Sequence, residues 1–275
     1  MNSRPTPLAA IAALAVLATA CAPAADLSSH TEPEGLPQGG FDYQLGGGYG
    51  PPDGVGIVVR DSTDEPEPGL YSVCYVNGFQ TQPGEADRWL DEGLVLLDGA
   101  GEPVADPGWP DELLLDTSDP AGRERITELL AGTIGGCADA GFAAVEFDNL
   151  DSFTRSDGAL TAEDNFALAE ALVAVVHEHG MLAAQKNTAE ETDRGVEAGF
   201  DFAVTESCGA WDECDVYAAA YGAEGVLDIE YPDTLEERGT TFAEVCADPD
   251  TPPRTILRDL DLVPEGAEGH LYEAC

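Results

Sequence analysis

Short apolar runs of strand length alternate with longer stretches of helical period from residue 41 to the end of the chain. Residues 41–45, 55–60 and 70–76 read as strands, followed by a helix over 120–140 that Gly132, Gly135 and Gly136 weaken. Residues 142–147 form the next strand. A helix then opens at Thr161, a good N-cap with Asp164 three residues on, and places Phe166, Leu168, Ala169, Leu172, Val173 and Val176 on one face before stopping at Gly180. Strands at 181–186, 200–205, 225–230 and 254–258 follow, separated by helices at 189–198, 211–221 and 235–246. This alternation predicts one α/β domain, a (β/α)8 TIM barrel occupying 41–275. A doubly wound open sheet is the competing architecture, but no GxGxxG or P-loop glycine run follows a strand.

The N-terminus lies outside this pattern. Arg4 precedes an apolar, Ala-rich run over 8–20 that is too short to span a bilayer comfortably. It ends Leu17-Ala-Thr-Ala-Cys21, so residues 1–21 read as an export signal with a lipobox-like end and Cys21 as the lipidated residue. Ordinary signal cleavage near Ala20 or Ala25 is the alternative. Residues 22–40, rich in Pro, Gly, Ser and acid, read as a flexible tether. The expected location is therefore the cell surface or the exterior, which permits disulfides. Six cysteines remain. The preferred pairing is Cys74 with Cys137, Cys208 with Cys214 and Cys246 with Cys275, among 15 possible connectivities. A zinc site is the rival, but there is no CxxC pair and the four histidines are scattered.

Charge narrows the partners. The net charge of −43 argues against nucleic acid or an anionic membrane surface and suits a cationic ligand. The alternative is a solvated acidic surface adapted to high salt. Lys186 is the only lysine among 11 basic residues. The hydrophobic fraction of 43% supports a real core.

Barrel enzymes carry their sites at the C-terminal ends of the strands. Those ends offer Gln44, then Tyr75 and Asn77, then Asp148, Asn149 and Asp151, then Lys186 and Asn187, Glu206, Glu230 and Tyr231, and finally Asp259 or Asp261. Asp148 and Glu206 close two of these apolar strands and form a candidate acid/base pair of the kind glycoside cleavage uses. Each residue also has a structural reading. Asp148 and Asn149 could form a cap or turn. With Asp151 they could hold calcium. Lys186 could be a structural ion pair with Asp148, Glu206 or Glu230. Tyr75 and Trp211 could equally be core or sugar platforms.

The ordered set Tyr43-Gln44-Leu45, Cys74-Tyr75, Glu146-Phe-Asp148-Asn149-Leu-Asp151, Lys186-Asn187, Thr205-Glu206-Ser-Cys208 with Cys214, and Ile229-Glu230-Tyr231 resembles glycoside hydrolase family 114 over roughly residues 41–260. The resemblance implies a (β/α)8 barrel and endo-alpha-1,4-polygalactosaminidase activity, with Asp148 and Glu206 as the catalytic pair. Gln44, Tyr75, Asn149, Asp151, Lys186, Asn187, Glu230 and Tyr231 would contact substrate. Two segments depart from the family. Trp109-Pro-Asp-Glu112-Leu-Leu-Leu-Asp116 lacks the family's Arg-Trp, and Val-Asn-Gly-Phe-Gln follows Tyr75 in place of a small-residue run. The expectation is a monomeric, exported glycosidase of a cationic amino-sugar polymer, with no cofactor and no metal. Membrane contact would come only through the lipid. Asp148 would attack the anomeric carbon or activate water, and Glu206 would protonate the leaving oxygen, its pKa raised by neighbouring carboxylates. The alternatives are a non-catalytic glycan-binding lipoprotein on the same barrel and a glycosidase of a different glycan.

Overall fold

The computed structural model describes residues 1–2 and 35–275. The chain divides into Met1–Thr31 and Glu32–Cys275. The signal-like segment from residue 3, Cys21 and the tether up to residue 34 lie outside the described residues.

Eight strands run parallel in chain order, each hydrogen-bonded to the next: β1 (Gly40–Tyr43), β2 (Val55–Asp61), β3 (Tyr71–Asn77), β4 (Ala144–Asp148), β5 (Leu182–Lys186), β6 (Phe202–Glu206), β7 (Val226–Glu230) and β8 (Thr255–Arg258). This is the expected TIM barrel. A short β9 (Tyr272–Ala274) returns antiparallel on β8. The helices are α1 (Ala86–Glu92), α2 (Pro120–Ala140), α3 (Ala162–Glu178), α4 (Thr192–Ala198), α5 (Cys208–Trp211), α6 (Cys214–Tyr221), α7 (Pro232–Arg238) and α8 (Phe242–Ala247). Helix α3 starts where the sequence puts it. The Thr161 hydroxyl accepts from the Asp164 N–H at 3.2 Å, and Asp164 accepts back from the Thr161 N–H at 3.0 Å.

The structure departs from strict alternation in three ways. No helix separates β1 from β2 or β2 from β3. The expected helices at 211–221 and 235–246 are each split: Asp212 takes a left-handed φ of 63°, and Gly239 ends α7 with φ 71°. Between β3 and α2, residues 78–119 carry α1 and isolated antiparallel bridges such as Gln80 to Leu114 and Ala105 to Leu113. This long insertion rises over the mouth of the barrel. The three disulfides are Cys74–Cys137, Cys208–Cys214 and Cys246–Cys275, with Cα–Cα distances of 6.2, 4.9 and 5.3 Å.

Side chains rather than a ladder close the barrel between β8 and β1. Arg258 is fully buried. It lies 3.0 Å from the equally buried Asp42 and also donates to the carbonyls of Tyr43 and Leu271. At the other end of β8, Arg254 donates to the carbonyls of Gly39 (3.1 Å) and Pro37 (2.8 Å). Two arginines thus stitch the last parallel strand to the first.

Strand parity then decides which polar residues face the barrel interior. Side chains alternate between faces along a strand. Phe41, Tyr43, Val73, Tyr75, Ala144, Leu182, Ala184, Phe202, Val204, Ile229 and Tyr231 pack together in the interior. Cys74, Val145, Phe147 and Ala183 pack against the helices. Counting in twos from the interior set puts Asn77, Glu146, Asp148, Lys186 and Glu206 on the inner face. Asp42, Gln44, Asp228 and Glu230 fall on the outer face.

Replacing Arg258 by Met leaves Asp42 buried without its cation. We expect a loss of about 3–5 kcal/mol of unfolding free energy in urea titrations. A loss below about 1 kcal/mol would show that the seam does not depend on this pair.

Candidate active site

The only lysine is the centre of the site. Lys186, at the end of β5, is 2% exposed, and its Nζ lies 3.0 Å from Glu146, 3.2 Å from Asp148 and 3.2 Å from Glu206. It also sits 3.2 Å from the Tyr43 hydroxyl oxygen. The ammonium has three protons for four oxygen neighbours. Burial by itself lowers the lysine's pKa, but the surrounding carboxylates outweigh burial and hold it well above its usual value, so it stays charged.

The three carboxyls differ in environment. Burial pushes the Asp148 carboxyl up. Lys186, the Tyr75 hydroxyl at 2.5 Å and the Asn149 N–H at 2.7 Å overcome that and hold it below the usual aspartate value. Asp148 is therefore ionised. Glu146 is fully enclosed, and burial pushes it up to about 7 despite Lys186. One of its oxygens accepts from Tyr43 at 2.8 Å, and the other has no partner among the described residues. Glu206 is more open. It accepts from Tyr231 at 2.8 Å and Asn187 at 3.1 Å, while the Asn187 side-chain carbonyl accepts from the Glu206 N–H at 2.8 Å. Burial and neighbouring carboxylates raise Tyr43, Tyr75 and Tyr231 well above 10, so all three are donors.

The backbone turns sharply after each charged strand end. Asn149, Asn187, Thr188 and Ser207 all take left-handed φ values between 48° and 70°. Such conformations cost free energy outside glycine and concentrate at functional sites. They swing the chain away from the barrel axis and leave Asp148, Lys186 and Glu206 facing a cavity of about 550 Å3. Leu262, Asp261 and Trp109 also line it.

The cavity gathers Tyr75, Asp148, Asn149, Asp151, Lys186, Asn187, Glu206 and Tyr231 of the expected site. Two expected substrate contacts are not brought in. Gln44 faces outward and is fully buried, donating to Asp42 at 2.8 Å and accepting from Arg60 at 3.0 Å. Glu230 also faces outward, fully buried, and accepts from the N–H groups of Gly209 (2.7 Å) and Ala210 (3.2 Å). Its neighbour Asp228 accepts from Thr205 and the Cys208 N–H. Burial pushes both carboxyls up. Together they hold the backbone just after Glu206. A Cβ on Gly209 would come within 2.8 Å of the Glu230 carboxylate and 2.4 Å of Val245, so only glycine fits there. Of the last pair, Asp261 lines the cavity, whereas Asp259 accepts from the Val263 and Leu271 N–H groups. Asn77 sits behind the wall, donating to Glu112 at 2.8 Å. Trp211 lies in an adjoining cleft with Asp151, Asn187 and Glu206, its ring 4.3 Å from the Arg238 guanidinium.

Residues not singled out for the site also reach it: Tyr43, Glu146, Asp106, Trp109, Glu112 and Arg155. Parity identifies Tyr43 and Glu146. No spacing signal points to the loop residues. Asp148, Asn149 and Asp151 do not suit a calcium ion. Asp148 is bound to Lys186, and Arg155 engages both Asn149 Oδ1 (3.0 Å) and Asp151 (2.9 Å), so a cation would meet two resident cations. Among the described residues, one group clusters as metal ligands do, Cys208, Cys214 and Asp228, and its two sulfurs are joined in a disulfide.

Paired carboxyls at the mouth of a barrel are compatible with glycoside cleavage, and the sequence match decides the family. Residues 20–275 match the model of glycoside-hydrolase family GH114. The chain belongs to this family and is a glycosidase. Its structure is similar to that of Ega3 from Aspergillus fumigatus in complex with galactosamine, with TM-score 0.69 and 19% identity over 90% of this chain and 100% of that one. It is also similar to the glycoside hydrolase domain of PelA from Pseudomonas aeruginosa, with TM-score 0.53 and 16% identity over 83% and 96%. At these identities the likeness shows the shared fold. No curated protein sequence matches the chain.

Glu146 gives a pH test. A carboxyl raised to about 7 in the folded state favours folding below the unfolded value of about 4.5, and that advantage disappears as pH rises through 7. The stability of Glu146→Gln relative to wild type should therefore improve between pH 5 and pH 8 in chemical denaturation. A difference that stays constant with pH would mean that Glu146 is ionised throughout.

Proposed function

We propose that this GH114 protein is an exported endo-acting enzyme cleaving internal alpha-1,4 linkages of a galactosamine-containing polysaccharide, with Asp148 and Glu206 as its carboxyl pair. The observation that carries the reading is the bridge through Lys186. Asp148 Oδ1 and Glu206 Oε2 each lie 3.2 Å from the same nitrogen, so they can be no more than twice 3.2 Å, about 6.4 Å, apart. Retaining glycosidases separate their carboxyls by about 5–5.5 Å and inverting ones by about 6.5–9.5 Å. The bound, which concerns the two bridging oxygens, admits the retaining spacing.

In this mechanism ionised Asp148 attacks the anomeric carbon while Glu206 gives its proton to the departing glycosidic oxygen. A glycosyl ester forms on Asp148. Glu206, now a carboxylate, takes a proton from the water that hydrolyses this ester, and Asp148 is released as carboxylate. Lys186 and Tyr75 hold the attacking aspartate charged and oriented. Glu206 stands where the cavity meets the cleft of Trp211, which suits an acid acting on the bond between two subsites.

The substrate class rests on two supports. Ega3, the similar structure, was crystallised with galactosamine. The cavity's own cations, Lys186 and Arg155, are already paired with carboxylates, leaving a negative lining for a cationic polymer. Clefts adjoin the cavity on both sides, one past Asp151 and Glu206 and one past Tyr75 and Glu112, as internal cleavage of a long chain requires. Three disulfides suit an exported protein.

Reducing-end release from partly de-acetylated galactosaminogalactan tests the reading. Asp148→Asn and Glu206→Gln should each lower the rate at least about a hundredfold. Full activity in either variant would overturn the assignment. Saturable binding without new reducing ends, at low and high salt, would support the glycan-binding alternative. For the anchor, metabolic labelling with a fatty acid should mark the wild type and not Cys21→Ala. Equal labelling of the two would exclude lipidation at Cys21.

A further inference from the structure

The long insertion 78–119 brings two carboxyls into the cavity that the two-step reaction does not use, and one of them, Asp106, is already bound by Arg155 and Gln80. Glu112 is 9% exposed. Its Oε2 accepts from Asn77 at 2.8 Å and lies 3.5 Å from Asn149 Nδ2. Among the described residues its Oε1 accepts no hydrogen bond and is not fully buried, and Glu112 lines the cavity with Asp148 and Trp109 as well as the adjoining cleft with Tyr75 and Asn77. One oxygen is thus fixed by two amides, and the other is free on the wall beside the residue that follows Asp148. That is the arrangement of a recognition group: a rotamer locked from behind and an open hydrogen-bonding edge in front.

Accepting the glycosidase reading above, we propose that Glu112 reads the amino group of the sugar unit seated in the cavity, preferring a free ammonium to an acetamide. An ammonium gives Oε1 a charged donor in a site of low polarity, where a charge-assisted hydrogen bond is strong. An acetamide offers a carbonyl oxygen, which an ionised carboxylate repels and only a protonated one can bond.

The choice therefore depends on the proton of Glu112. Burial pushes its carboxyl up to about 7. The donor Asn77 and the charge of Arg155 work against that, and Asp148 and Asp106 add to it. These are the groups that face it: Asn77 from β3, Asp148 from the end of β4, Asp106 from its own loop and Arg155 from the turn after Asp151. Above about pH 7 the free enzyme carries an ionised Glu112 and favours the amine. Below it, the carboxyl holds its proton and the preference relaxes.

Two measurements test this on the full chain. The first compares kcat/KM on fully de-acetylated and on N-acetylated galactosamine oligomers at pH 6 and pH 8. The wild-type preference for the amine should rise with pH. In Glu112→Gln it should fall at least about tenfold at pH 8 and lose its pH dependence, with the change in KM rather than kcat. An unchanged preference at both pH values, or an equal loss on both oligomers, would overturn the proposal. The second is calorimetric titration with the de-acetylated oligomer at pH 6, where the sugar amine is already charged and Glu112 still holds its proton, in two buffers of different ionisation enthalpy. Wild type should release more protons on binding than Glu112→Gln, and equal release would overturn the proposal. This reading needs no turnover, so it stands apart from the outcome for the glycosidase reading. If Glu112→Gln does not fold, Glu112→Asp, which keeps the charge but draws it back, should weaken the preference while keeping its pH dependence. A wild-type preference in Glu112→Asp would equally overturn the proposal.

Discussion

A single buried ammonium among three carboxylates is the constraint on which the site depends. Removing ions from water is costly, and the cost is recovered only where geometry and partners are complete. Lys186 meets that condition by drawing on four strands at once: Tyr43 from β1, Glu146 and Asp148 from β4, and Glu206 from β6, with β5 carrying the lysine itself. Only a closed barrel brings those strand ends to one point. The Arg258–Asp42 seam therefore supports the chemistry without touching it, because it fixes β1, and with it Tyr43, against the last strand.

The same geometry assigns different work to similar residues. Asp148, with three donors around it, stays charged and can attack. Glu146, two residues earlier on the same face, lies deeper, is fully enclosed and takes up its proton near neutrality. On the opposite face of the sheet, Asp228 and Glu230 are equally buried, but they bind backbone N–H groups and hold the turn that follows Glu206. In the proposed mechanism the inner acids carry the reaction, whereas the outer acids keep the loop in place. The difference between the groups is one step of strand register.

Much of this was legible in the sequence. The barrel follows from strand–helix alternation, and Asp148, Lys186 and Glu206 stand out as polar ends of apolar strands. Gln44 and Glu230 show where strand ends alone mislead. They sit beside the inward residues Tyr43 and Tyr231, and only counting in twos from the apolar interior separates them. The split of the helix expected at 235–246 was readable in Gly239 followed by Thr241, an N-cap whose hydroxyl accepts from the Glu244 N–H. Residues 78–119 were not readable. Their isolated bridges mix distant pairs such as Gln80 with Leu114 and local ones such as Ala105 with Leu113, with no period to reveal them, and so Glu112, Trp109 and Asp106 reach the cavity without local warning.

In the proposed mechanism Asp148 and Glu206, both bound to Lys186, cleave the bond with retention. The most direct test is the anomeric configuration of the first-formed product, followed by proton NMR during early turnover of a galactosamine oligomer, before mutarotation. The account predicts the α-anomer first, the configuration of the bond that is cut. The β-anomer first would mean that water attacks directly and would contradict the proposed mechanism.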